Sequence, residues 1–200
     1  MPEFERLLRD WFADTRESPT RVQARNRWWF GPDADRDRQL ARDWGATCAQ
    51  AQAGSLDPWA HTASGRLALI LLTDQLPRNL FRGTAAAFAS DDKALTLSLD
   101  GQAASQDQEL SLIERVFFAM PMQHAEDRSV QAQSVAYFDA LAVTDPERAK
   151  LWESYASSAR RHRAIIERFG RFPHRNQVLG RTSSAEEAAW LAEGGERFGQ

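Results

Sequence analysis

Two segments about a hundred residues apart repeat one arrangement of polar residues. Leu76-Pro77-Arg78-Asn79-Leu80-Phe81-Arg82-Gly83-Thr84 and Phe172-Pro173-His174-Arg175-Asn176-Gln177-Val178-Leu179-Gly180-Arg181-Thr182 each place an apolar residue before a proline and a glycine about two turns later. Proline is tolerated at a first helical position, where its missing N–H costs nothing, and glycine accepts the left-handed cap, so each segment reads as a short helical stretch. Its first turn would aim unpaired backbone N–H groups, a positive helix end and a guanidinium fork at one small volume, which outlines an anion site. Helix capping and structural hydrogen bonding account equally well for the same residues.

Carboxylates and imidazoles supply the proton chemistry such a site would need. Asp74 ends an apolar stretch, Leu67-Ala68-Leu69-Ile70-Leu71-Leu72, on the face of Leu67, Ile70 and Leu71, with Pro77 expected to stop the helix just beyond it. A helix apolar all round is a buried one, so Asp74 needs partners, and Arg78 and Arg82 are the nearest. His124-Ala125-Glu126-Asp127 follows Met120-Pro121-Met122, read as a loop-forming break; were the chain helical there, His124 and Asp127 would share a face and Glu126 would turn away. A carboxylate beside an imidazole raises its pKa and fixes its tautomer, although acids at a helix start are also ordinary caps. His162 sits in an apolar seam, where a polar network is expected around it, and His174 lies within the second Pro-Arg-Asn segment. The candidate catalytic residues are therefore Asp74, His124, Glu126, Asp127 and His162. The candidate ligand-binding residues are Arg78, Asn79, Arg82, Arg171, His174, Arg175 and Asn176. His61, in a polar stretch without neighbouring ligand types, reads as a surface residue.

No cofactor is required by these residues. A divalent metal remains open, since His124, Glu126, Asp127, His162 and His174 are all ligand types, but no histidine pair has one-turn spacing and a lone cysteine provides no sulfur ligand set. Nucleophilic catalysis has less support: there is no glycine-flanked serine elbow, and Cys48 falls on a packed helix face. That single cysteine excludes an internal disulfide framework and points to a reducing compartment. The 67–72 run is too short to span a bilayer, so the chain is expected to be cytoplasmic and without membrane contact. Seven arginines face one acid, Glu167, between Arg160 and Arg181, yet the net charge is −3 and only Lys93 and Lys150 are lysines. Such a chain lacks the broad basic face that binding a nucleic-acid backbone demands, which argues against nucleic acid as a partner.

The elements that must hold these residues are helical throughout. Phe4, Leu7, Leu8, Trp11 and Phe12 define one amphipathic helix; Leu40, Trp44, Thr47, Cys48 and Ala51 define another, closed by Gly54. Leu110, Ile113, Phe117 and Met120 continue the pattern, as do Val130, Ser134, Phe138 and Leu141. Leu151, Tyr155, Ala159, His162, Ile166 and Phe169 form one long seam, and Ser183 with Glu186, or Ser184 with Glu187, makes a capping box before a last short helix. No alternating run competes, so residues 1–200 read as a single all-α domain of short antiparallel pairs.

Several blocks, taken in order, carry a resemblance. Trp28-Trp29-Phe30-Gly31, Gly54-Ser55-Leu56-Asp57-Pro58-Trp59, Leu67 to Thr84, Met120 to Asp127 and Arg168-Phe169-Gly170-Arg171-Phe172-Pro173-His174-Arg175-Asn176 resemble the successive motifs of the bacterial family called domain of unknown function 924. The resemblance implies an α-α superhelix of the tetratricopeptide kind, although no regular 34-residue repeat is visible. It implies no reaction. Leu76 and Ala125 depart from the family's usual phenylalanine and serine, the latter removing a hydroxyl beside the histidine-acid cluster. Two functions follow as expectations. One is a polar pocket for a small anionic molecule bearing phosphate or carboxylate, with hydrolysis by histidine-carboxylate acid-base chemistry. The other is a docking module that receives a protein or peptide partner without catalysis, through Trp28, Trp29, Phe30 and Trp44.

Overall fold

The central element is a helix with almost no polar face. In the computed structural model, which describes residues 2–16 and 18–199, α4 (Ala63–Ile70) passes into a π-helical turn (Leu71–Gln75) and then α5 (Leu76–Leu80). Leu67 to Leu72 are all fully buried. Around this rod pack α1 (Glu3–Phe12), α3 (Ala34–Gln52), α6 (Asp91–Ala103) and α7 (Leu112–His124), with α2 (Pro19–Phe30) joining the aromatic cluster of α1 and α7. The longest pair, α8 (Arg128–Ala142) and α9 (Ala149–Phe169), packs on α7, and α10 (Ala185–Ala192) closes the fold. Every regular element among the described residues is helical, as the periodicity predicts. The Ser184–Glu187 capping box forms, and Gly54, Gly83 and Gly180 take positive φ values of 84°, 75° and 65°.

Two prolines depart from expectation. Pro77 does not end the buried helix. A proline ring would crowd the Thr73 carbonyl in a regular α-helix and has no N–H to give it. Widening by one residue removes that conflict: Leu76 N–H donates to Leu71 O, five residues back, and the chain stays helical through Gln75 to Leu80. Arg78 and Asn79 thus lie inside a continuous helix, and the first segment has no free helix N-terminus. Pro121 is likewise inside α7 rather than in a loop; the break comes at Ala125, whose ψ is 133°. The second segment is a single 3-10 turn, Pro173–Arg175. Loop bonds from Leu179 N–H to Arg175 O (3.0 Å) and Arg181 N–H to Asn176 O (2.8 Å) carry it forward.

Gln131 fastens the turn that follows α7. Fully buried, it points its Nε2 at the carbonyls of Gln123 and Ala125 (2.8 Å each) and, at 3.3 Å, of Met122, which also accepts from the Ala125 N–H at 3.4 Å; carbonyls at a helix end lack the donors of a further turn. Gln131→Leu should therefore lower the unfolding free energy by about 1–3 kcal/mol, the cost of stranding buried polar groups. Urea melts check this, and a variant as stable as the parent would show that those carbonyls need no donor.

Candidate functional site

Asp74 is fully buried at the π turn, and its carboxylate draws three elements together. It accepts from His124 Nδ1 at 2.6 Å, from Arg78 Nη1 at 3.0 Å and from the neighbouring Gln75 amide. Arg78 also grips Asp91 with both terminal nitrogens, at 2.9 Å each, and bonds the Asp74 carbonyl at 2.8 Å. Arg175 reaches the same Asp91 at 3.2 Å and the His124 carbonyl at 3.1 Å, its guanidinium lying over Phe88 and Phe172 at 4.7 and 4.4 Å. Two carboxylates and two guanidiniums from the π turn, α5, α6 and the 173–175 turn thus balance in one knot. Burial alone would raise the Asp74 pKa, but Arg78 and then His124 hold the carboxyl well below the usual range.

Above this knot lies a cavity of about 340 Å³. Arg78, Asn79, Arg82, His124, His162, His174 and Arg175 line it, as do Arg161, Phe88 and Phe198, and none of its described lining residues is acidic. Arg82 Nε, Arg175 Nε and His174 Nδ1 are buried without a hydrogen-bond partner among the described residues. Because Nδ1 of His124 donates to a carboxylate, Nε2 is the lone-pair nitrogen of the neutral ring. Asp74 acts to raise this pKa, as expected of a carboxylate beside an imidazole, but burial, then Arg78, outweigh it and the net shift is downward. The two imidazoles nearest His124 are also shifted down. His162 lies well below its ordinary value through burial and then His124, and His174 falls to about 3 through burial and then Arg175. His162 lacks the expected network: its Nδ1 donates at 2.9 Å to the Ser158 carbonyl one turn back, and its ring stacks on Phe198 at 3.6 Å.

Besides Asp74, which lies in the knot beneath it, four sequence candidates stand away from the cavity wall. Asp127 caps α8, accepting from the Ser129 and Val130 N–H groups at 2.8 and 2.9 Å, so it cannot share a helical face with His124. Glu126 accepts from Phe172 N–H at 2.7 Å and from Arg181 at 2.5 and 3.0 Å. Arg171 forks onto Glu187 at 2.6 and 2.8 Å, and Asn176 joins Ser183, Glu187 and Arg181. Together Glu126, Arg171 and Asn176 staple the 171–187 segment that presents His174 and Arg175. No group of three His, Cys, Asp or Glu side chains converges as a metal ligand set among the described residues. Cys48 is buried on α3, where desolvation pushes its thiol up to about 12. Of the aromatics expected to anchor a partner, Trp44 and Trp29 are 1% and 3% exposed and belong to the core, Trp28 is covered by the Arg25 guanidinium at 4.1 Å, and Phe30, 44% exposed, lies at the cavity. Sequence reasoning missed Asp91, which looks like an ordinary acid at the start of α6, and Phe198, which follows no periodic segment.

The depressed histidines fix a sign for pH dependence. Each has a folded pKa below its ordinary 6.5, so the unfolded chain takes up protons first. Their contribution is complete above about pH 6.5 and is lost as pH falls, by up to about 1.4 kcal/mol per pH unit for each group. The parent should unfold at lower urea at pH 5 than at pH 7. His162→Leu should differ from it by less than about 1.5 kcal/mol at neutral pH, since the Ser158 carbonyl also sits in the helix ladder, and should show a flatter decline. Equal stability of the parent at pH 5 and pH 7 would contradict neutral buried imidazoles.

Comparison with known proteins places this arrangement in a lineage without assigning it a reaction. No curated protein matches the chain. A solved structure of a protein of unknown function from Agrobacterium tumefaciens is 37% identical, with a TM-score of 0.77, over 86% of this chain and 92% of that one. The model of the family described as bacterial protein of unknown function (DUF924) matches residues 7–195. With nearly its whole length so matched, and the helices in place that its motifs require, the chain belongs to the DUF924 family.

Proposed function

We propose that the cavity binds a small molecule bearing a phosphate or carboxylate and that His124, backed by Asp74, moves a proton in its hydrolysis. The observation that carries this reading is a wall with four guanidiniums and, among its described lining residues, no carboxylate. A guanidinium binds an oxyanion through charge-assisted, often bidentate hydrogen bonds, so an anion is the guest that such a wall fits. A volume of about 340 Å³ suits a metabolite-sized guest larger than phosphate alone.

The roles follow from position. Arg82 and Arg175, each with a single carboxylate partner among the described residues, Asp37 at 3.4 Å and Asp91 at 3.2 Å, hold the anionic group, while Arg78, engaged by both Asp74 and Asp91, keeps the site rigid. His124 Nε2 accepts a proton from a water molecule as its oxygen attacks the ligand, and the Asp74 carboxylate stabilises the imidazolium that results. The proton then passes to the leaving group, which restores the neutral dyad. His162 and His174, both neutral, add no competing positive charge. A docking module is less well supported, because three of the four aromatic anchors it would use are packed in the core or covered and only Phe30 is exposed. No helix among the described residues is long and apolar enough to cross a membrane, and a cytoplasmic setting suits the reduced, buried Cys48.

Thermal shift and calorimetry with inorganic phosphate and with acetate test binding; p-nitrophenyl phosphate and the p-nitrophenyl half-ester of succinate, which keeps a free carboxylate, test turnover. Arg82→Ala should abolish the anion-induced rise in Tm. His124→Gln should keep that rise and lose turnover by about 10²–10⁴-fold, the usual worth of a positioned general base. Because the His124 pKa is lowered, activity should persist below pH 6.5 and vanish only once the ring protonates. Unchanged turnover in His124→Gln, or an unchanged Tm response in Arg82→Ala, would overturn the respective role.

A further inference from the structure

Part of the cavity wall comes from the residues that follow α10. Residues 194–199 bring Phe198 to it. Phe198 is a wall residue, stacked on His162 at 3.6 Å between centroids and 16° between planes, and edge-on to Phe172 and His174. The Gly199 carbonyl accepts from Arg82 Nη1 at 2.6 Å, and Glu196 pairs with Arg161 at 2.8 Å. Two of the four cavity arginines thus take an acceptor from this one segment: a backbone carbonyl and a carboxylate, the chemistry an anionic ligand would bring.

The segment is held at a conformational cost. Phe198 has φ of 49°, in the left-handed region that bulky residues avoid, and Gly199 follows at 76°. Its moorings are few: the Gly194 N–H to Leu191 O bond at 3.4 Å, the Gly195 N–H to Trp190 O bond at 2.9 Å, the exposed Arg161–Glu196 pair, the Arg82 bond and the Phe198 stack. Arg197 is exposed, with one long bond of 3.4 Å to Leu191 O. A strained segment with few ties, sitting on the cations of the site, can yield to a better acceptor.

We propose that the 194–199 strap is an intrachain competitor for the anion site, so that a ligand's anionic group takes Arg82 from the Gly199 carbonyl and Arg161 from Glu196 and lifts Phe198 off His162. The strap thereby regulates access: the closed form shields the Asp74–His124 dyad, and only a guest carrying negative charge opens it. This rests on the anion-binding reading of the cavity. It adds that apparent affinity is the intrinsic affinity reduced by the fraction of molecules whose strap is open.

Two full-chain substitutions release the strap without altering the cavity wall. Glu196→Gln weakens the pair with Arg161. Gly199→Ala places a Cβ where φ is left-handed, while its nearest neighbour, the Phe30 carbonyl at 3.7 Å, leaves room for it. Calorimetric binding of inorganic phosphate at constant ionic strength should tighten by about fivefold or more in each. Trypsin cleavage of the Arg197–Phe198 bond, followed by mass, should accelerate in the parent when phosphate is added, and should be fast in both variants without it. Equal phosphate affinity in all three proteins, or cleavage at Arg197 indifferent to phosphate, overturns the strap and leaves the anion site standing. Absence of phosphate binding in the parent and both variants overturns the two readings together.

Discussion

One buried negative charge organises this molecule. Asp74 sits where no water reaches, and an ionised carboxylate there is tolerable only if its oxygens are fully engaged. That demand brings Arg78 and His124 onto it from different elements, and the second charge on Arg78's other side, Asp91, holds Arg175 in turn. Asp74, Arg78, Asp91 and Arg175 form a chain of alternating charge, so removing one takes a partner from its neighbours in a largely desolvated setting. The cavity wall is the solvent-facing side of this arrangement, which explains why it can carry guanidiniums at all.

The π turn is what delivers Asp74 to that position. Ten residues of a regular apolar helix would keep one register, and the Thr73 carbonyl would meet the ring of Pro77. Inserting one residue per turn at Leu71–Gln75 avoids the clash and shifts the polar residues that follow relative to the apolar ones before it. The same local feature therefore resolves a steric conflict and sets the site's geometry. Its apolar surroundings, Leu69 to Leu72 and Leu76, all fully buried, leave it no freedom to anneal into an ordinary helix.

Positioning of the second segment works differently. The 173–175 turn is too short to be stable alone, and its side chains are aimed by tethers on either side: Glu126 on the Phe172 N–H and Arg181, and Glu187 on Arg171 and Asn176. Several residues whose types invite a catalytic reading act here as fasteners. The arginine-rich stretch is accordingly less basic than its composition: Arg160, Arg163, Arg168, Arg171 and Arg181 each have a carboxylate partner.

Helical periodicity, glycine caps and the Ser184–Glu187 box are local properties, encoded within one or two turns, and they were legible in the chain as it stands. So was the burial of the 67–72 run, and with it the need of Asp74 for Arg78, four residues on. The rest depends on contacts between distant segments. Whether Pro77 and Pro121 end a helix or are absorbed by it is decided by the packing around them, since a buried rod gains more from continuing than a single strained turn costs. Which histidine faces Asp74, and whether Glu126 and Asp127 touch the cavity or a backbone N–H, turns on where α7 stops, a matter of the Gln131 side chain from the next helix. The roles of Asp91 and Phe198 could not be read from any pattern, because each meets its partners across 13 to more than 80 residues of chain, and only the folded core sets those distances.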